Sequence, residues 1–142
     1  KKIIHLLEIV DPFLMIDKLT FEADGLSGVG EKNLSKNEWF YKCHFLNNPI
    51  MPGMLQTEAM LQTIVAIFCV SNEMHAKDCL INKVSSSFFK PISGEGKIQV
   101  TCKSNQEKSG VFFANAVLLF SGQKISEGSF RFIIPKKFRI KK

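Results

Sequence analysis

Between Met54 and Ser71 apolar side chains recur on almost every face of a 3.6-residue repeat, and the strong helix formers Met, Leu, Gln, Glu and Ala crowd its first half. The pattern predicts one long helix enclosed by other structure. Elsewhere the period is two. Within Lys97–Lys103, Ile98, Val100 and Cys102 alternate with Lys97, Gln99, Thr101 and Lys103, as in a strand with one wet face. Cys79–Phe89, Gly96–Ser104, Val111–Phe120 and Gln123–Ile134 read as strands, with Ser121-Gly122 a two-residue hairpin turn between the last two. Upstream of the helix, Phe13–Phe21 and Gly25–Leu34 read as a hairpin turning around Ala23, Asp24 and Gly25. Ser35–Phe45 is polar and aromatic. There Ser35 or Asn37 is the expected cap of one or two helical turns, with Glu38 near their N-terminal end. Pro49 and Pro52 then forbid regular helix until Gly53. The sum is an α+β domain, a six-stranded antiparallel sheet wrapped around one long central helix.

Length and composition agree with a single domain over residues 1–142, with an ordinary hydrophobic share of 45% and 23% charged residues. The net charge of +6 changes the picture less than its size suggests. Lys1, Lys2, Lys136, Lys137, Arg139, Lys141 and Lys142 carry seven of the 19 positive charges, which leaves 12 basic against 13 acidic residues from position 3 to 135. The body is about neutral, and the basic tail, 136–142, reads as solvated. No aromatic and basic residues interleave along the strands, so no nucleic-acid partner is expected. Four cysteines, Cys43, Cys69, Cys79 and Cys102, lack C-x-x-C spacing or a nearby His at metal-finger spacing, which predicts a reduced, cytoplasmic chain without a metal site. Glu8 and Asp11 interrupt the N-terminal apolar stretch, so no signal peptide is expected. Met54–Val70 falls short of the roughly 20 residues a membrane span needs and contains Gln56, Glu58 and Gln62, so no span is expected either.

Unusual choices concentrate between Cys43 and Met60. A His stands in a Pro-rich loop just before a helix whose second turn bears one carboxylate in an apolar stretch. Burying an unpaired Glu costs several kcal/mol or forces it to keep its proton. A Glu held protonated by an apolar site donates a proton near neutral pH, and a neutral His accepts one. Gly53 adds a third element, because a helix-entry N–H without a side chain beside it suits a carbonyl oxygen gaining negative charge.

These residues carry a resemblance. His44, Phe45, Pro49, Pro52, Gly53, Leu55, Glu58, Ala59, Met60 and Gln62 match H-F-x-x-x-P-x-x-P-G-x-L-x-x-E-A-M-x-Q, the motif of the (3R)-hydroxyacyl-acyl-carrier-protein dehydratases of FabZ and FabA type, which have the hotdog fold. Pro12-Phe13-Leu14 with Asp17, Asn37-Glu38 with Phe40, and Phe89-Lys90-Pro91-Ile92 extend the resemblance over nearly the whole chain. Glu rather than Asp at position 58 resembles the FabZ type, which dehydrates without isomerising the double bond.

The resemblance implies dehydration of a 3-hydroxyacyl thioester on acyl carrier protein to the trans-2-enoyl product, in fatty-acid or related acyl-chain biosynthesis. It implies a homodimer or a trimer of dimers, with His44 of one subunit and Glu58 of the other as catalytic base and acid. Gly53 N–H would hold the thioester carbonyl, Ile50 would fix the imidazole tautomer through its carbonyl, and Gln62 would orient the Glu58 carboxyl group. Met51, Met54 and Met60 are the expected lining of an acyl tunnel, Lys36, Lys42 and Lys90 are expected contacts for the acidic carrier protein, and no metal or organic cofactor is implied. Cys43 stands where the family usually has Gly, Leu46-Asn47 replaces a common Pro-Gly, and Lys90 replaces a frequent Arg. The rival activities are a hotdog acyl-thioesterase, which would not need His44, and a non-catalytic acyl or carrier-protein binding module.

Overall fold

The computed structural model describes residues 2–135; the basic tail at 136–142 lies outside them. All six strands are antiparallel and form one sheet: β1 (Lys18–Phe21), β2 (Ser27–Leu34), β3 (Leu80–Phe88), β4 (Gly96–Lys108), β5 (Val111–Phe120) and β6 (Gln123–Ile133), in the order β1-β2-β4-β5-β6-β3. Three helices join them: α1 (Lys2–Leu7), α2 (Trp39–Cys43) and α3 (Gly53–Asn72), with a 3₁₀ turn at Ala76–Asp78. The sheet curls around α3, as the hydrophobic pattern predicted.

Alternation explains which face is inside. Ile98, Val100 and Cys102 of β4, Phe112, Ala114, Ala116 and Leu118 of β5, and Phe130 and Phe132 of β6 are buried against α3. Phe68 of α3 meets Phe112 and Phe132 edge-on at ring centroid distances of 4.7 and 5.2 Å. The helix is buried from Gln56 through Cys69 except at Glu58 and Leu61. At 20 residues α3 is long and apolar enough to cross a membrane, contrary to the length expected. What marks it as a core helix is its cover of sheet, with 72% of its apolar window buried.

Two of the inward positions on β2, Gly28 and Gly30, are glycines, because α3 lies too close there for side chains. A Cβ on Gly28 would meet Ile67 Cδ1 at 2.6 Å, and one on Gly30 would collide with the Thr63 hydroxyl. We predict that Gly30→Ala lowers unfolding free energy by about 1–3 kcal/mol, the usual cost of overpacking, as read from a denaturant midpoint. An unchanged midpoint would contradict this contact.

Several local expectations require correction. Only Lys18–Phe21 of the predicted Phe13–Phe21 strand pairs with β2. Leu14, Met15 and Ile16 are buried instead, and in place of a neighbouring strand the Met15 N–H donates to the Gln62 side chain and the Phe13 carbonyl accepts from it. The short helix α2 is entered at Glu38 with no side-chain cap. Ser35 and Glu38 brace the turn before it, the Ser35 hydroxyl accepting from the Asn37 N–H and the Glu38 carboxylate from the Ser35 N–H. Helix α1 and the 3₁₀ turn were not anticipated. Other turns match. Asp24 accepts hydrogen bonds from the Leu26 and Ser27 N–H groups, and Ser121 and Gly122 both take positive φ, at 49° and 82°, the type I′ pattern that suits a two-residue hairpin.

Candidate active site

The loop from His44 to Pro52 is folded on itself before α3 begins. The Asn48 N–H donates to the Phe45 carbonyl at 3.0 Å and the Phe45 N–H to the Asn48 carbonyl at 2.7 Å, while the Ile50 N–H donates to the His44 carbonyl at 2.9 Å. Asn47, third residue of the turn Phe45–Asn48, has φ 60°. Asn tolerates this left-handed conformation better than most residues, so it occupies the place where a Pro-Gly pair would put glycine. The departure Leu46-Asn47 therefore preserves the turn.

His44 is partly buried, with Nδ1 at 3.0 Å from the Ile50 carbonyl oxygen. A carbonyl only accepts, so Nδ1 carries the proton in this hydrogen bond and Nε2 of the neutral ring is left with its lone pair. The imidazole lies against the Phe45 ring, with centroids 3.5 Å apart. Sequence order alone produces this pairing, because the Pro-rich loop returns six residues later to the same place.

Pro52 stands before the first turn of α3, its carbonyl accepting from the Leu55 and Gln56 N–H groups at 3.0 and 3.2 Å. The first N–H groups of a helix have no intrahelical acceptor, and Gly53 is the first residue. A Cβ on Gly53 would stand 3.0 Å from Cε1 of Phe88, so the missing side chain also admits the β3 aromatic. Gly53 thus serves packing, and its N–H stands at the positive end of the helix dipole.

Glu58 lies one turn further along and is partly buried. Burial pushes its carboxyl above the ordinary carboxylate range, and a hydrogen bond from Gln62 Nε2 to Oε1, 3.1 Å long, draws it part of the way back. Gln62 is itself held on three sides: its amide oxygen accepts from the Met15 N–H at 2.7 Å, and its amide nitrogen also donates to the Phe13 carbonyl at 3.0 Å. That network fixes the amide orientation and presents a donor to one carboxyl oxygen of Glu58, leaving the other for a proton. Replacing Gln62 by Met should strand the buried Met15 N–H, at a cost of about 1–3 kcal/mol. It should also raise the Glu58 pKa further, because the lowering hydrogen bond is gone, so the alkaline limb of a pH–rate profile should move to higher pH. A limb that stays put would show that the Gln62 contact does not act on Glu58.

Glu58 opens into a cavity of about 160 Å³ bounded by Leu7, Ile9, Leu61, Val65, Cys79 and Ile81 among others. The expected Met lining differs: Met51 and Met60 are buried in the core, Met54 is 71% exposed, and none of them borders this cavity. Sequence reading missed Leu7, Ile9 and Cys79 because nothing in their spacing ties them to Glu58. His44 and Glu58 share no hydrogen bond or ion pair within one chain among the described residues. No group of three His, Cys, Asp or Glu side chains is placed to hold a metal ion among the described residues.

A family model described as a FabA-like domain matches residues 9–129. A 3-hydroxyacyl-[acyl-carrier-protein] dehydratase FabZ from Caldicellulosiruptor bescii is 30% identical over 134 residues, covering 94% of this chain and 96% of that protein. A protein of the same name from Clostridium botulinum is 29% identical over 126 residues, 88% of either chain. Among solved structures, the dehydratase heterocomplex ApeI:P from Xenorhabdus doucetiae superposes with a TM-score of 0.74 over 95% of this chain and 91% of that one, at 10% identity, a likeness of fold.

Proposed function

Since this chain belongs to the FabA-like family and is a 3-hydroxyacyl-[acyl-carrier-protein] dehydratase of FabZ type, a hydro-lyase of fatty-acid biosynthesis with the hotdog fold, we propose that His44 and Glu58 are its catalytic pair. Nε2 of His44 removes a proton from C2 of the acyl chain. Glu58 of the partner subunit protonates the C3 hydroxyl, which leaves as water as the trans double bond forms. One proton is taken and one given, so return of the proton from His44 to Glu58 resets the site. The Gly53 N–H receives the thioester oxygen while enolate character develops, and Gln62 holds the carboxyl in place. The observation that carries this reading is the pairing of opposite acid–base characters: an imidazole whose free nitrogen accepts, and a carboxyl whose burial favours the protonated form.

The working unit is a homodimer. β3 lies at one edge of the sheet with Leu80, Ile81, Val84 and Phe88 exposed, an apolar edge that pairing with a second copy would cover. A trimer of dimers is the larger assembly consistent with the family. Exposed Lys36, Lys42 and Lys90 are contacts for the acidic carrier protein, and the four free thiols support a cytoplasmic location. The described residues, 2–135, are read as one domain.

Turnover of a carrier-bound (3R)-hydroxyacyl panel tests the proposal, with enoyl formation followed by absorbance and free acid by mass spectrometry. Enoyl product that depends on both His44 and Glu58 supports it. Release of free acid without that dependence would assign a thioesterase, and binding without turnover a carrier module.

A further inference from the structure

Two cavities border the N-terminal segment. The smaller, about 160 Å³, begins at Glu58 and follows one face of α3 through Leu61, Gln62 and Val65, positions three, four and seven residues on, a run of about 10 Å. Leu7, Ile9, Ala76 and Cys79 border it. The larger, about 850 Å³, lies toward the C-terminal end of α3 and is lined by Ile3, Leu6, Leu19, Phe21, Val70 and Met74, with polar groups including His5 and His75. Consecutive residues of α1 thus border different spaces, Leu6 the larger and Leu7 the smaller. Cys69 lines the larger and Cys79 the smaller.

We propose that this partition, made by α1 with Ile9, sets the acyl-chain length that the dehydratase accepts. The inference rests on the catalytic reading of Glu58, since it places the acyl tail of the substrate beside that carboxyl. The occupant follows from chemistry. Beyond Gln62 the space next to Glu58 is walled by Leu7, Ile9, Leu61, Val65 and Ile81, which suit an unbranched hydrocarbon tail. A tail that fits the smaller cavity ends at the partition, and a longer one must displace Leu7 or Ile9. The larger cavity behind has an apolar wall of Ile3, Leu6, Leu19, Phe21, Val70 and Met74 that can receive it once the partition is thinned.

The assay is kcat/KM on short-, medium- and long-chain (3R)-hydroxyacyl carrier substrates, with the long-to-short ratio read for each protein. Wild type is expected to favour short chains. Leu7→Ala and Ile9→Ala should each raise the ratio about tenfold, the lower end of what one or two methylenes contribute in an apolar pocket. Ala76→Leu, which fills the smaller cavity, should move it in the opposite direction. Ile9 is only partly buried, so its variant carries the test if Leu7→Ala fails to fold. An unchanged chain-length profile in Ile9→Ala and Ala76→Leu, or a wild-type preference for long chains, would overturn the partition. Those results leave dehydration intact, whereas absence of turnover on every chain length in wild type would instead remove the catalytic reading beneath it.

Discussion

Glu58→Gln is expected to lose dehydration by about 10²–10⁴-fold in kcat, the contribution of one well-placed general acid. The amide keeps the size of the side chain and can still accept the Gln62 hydrogen bond through its oxygen, so the fold should persist while the proton donor is gone. A second readout separates chemistry from structure. Burial raises the folded-state pKa of Glu58, so the folded protein holds that proton more tightly than the unfolded chain does. The stabilisation is complete below the unfolded-state pKa and is lost as pH rises through the higher folded-state value. Glu58→Gln should therefore unfold at a higher temperature than wild type near neutral pH, and the gain should shrink toward acid pH. The wild-type rate should fall on the alkaline side of the same pKa, because an ionised carboxylate cannot donate. A variant that retains full turnover, or that melts at a lower temperature at neutral pH, would contradict the assignment of Glu58 as a buried acid.

His44→Ala is expected to lose a comparable factor, about 10²–10⁴-fold, as general-base removal does. Because alanine also deletes the donor to the Ile50 carbonyl, some of its loss could come from the loop. His44→Asn isolates the two effects. Its amide nitrogen can take the place of Nδ1–H beside Ile50, yet no basic nitrogen remains at the position of Nε2. Thermal stability near wild type with activity as low as in His44→Ala would place the effect on proton abstraction. Mixing tests the dimer. His44→Ala and Glu58→Gln chains are each inactive as homodimers, but a mixed dimer rebuilds one site from the intact His44 of one chain and the intact Glu58 of the other. Recovery of activity on subunit exchange is the expected result. Its absence in a verified mixed dimer would place both residues of a working site in one chain.

The hydrophobic pattern was enough for the fold because its periods are local. The alternation of Ile98, Val100 and Cys102 and the all-round apolar character of Met54–Ser71 each specify an element without reference to distant residues. The family resemblance supplied Ile50 as the partner of His44, six residues on, and helical spacing placed Gln62 one turn beyond Glu58. Phe13–Asp17 misled for a complementary reason. Its residues favour strand, but Gln62, 47 positions from Met15, satisfies the backbone groups that a neighbouring strand would have taken. Helix α1 was overlooked because six residues carry too little periodicity to register.

What the sequence by itself determined is therefore the six antiparallel strands and the one long helix they wrap, and it supplied His44 and Glu58 as the candidate acid–base pair. Tertiary structure alone decided which walls surround Glu58. Leu7 and Ile9 reach it from the N-terminal segment, Cys79 and Ile81 from the chain that follows α3, and the methionines expected there lie elsewhere. The physical reason is that hydrogen-bonding and helical neighbours are set by short spacings along the chain, whereas a cavity is the space left between elements after they have packed.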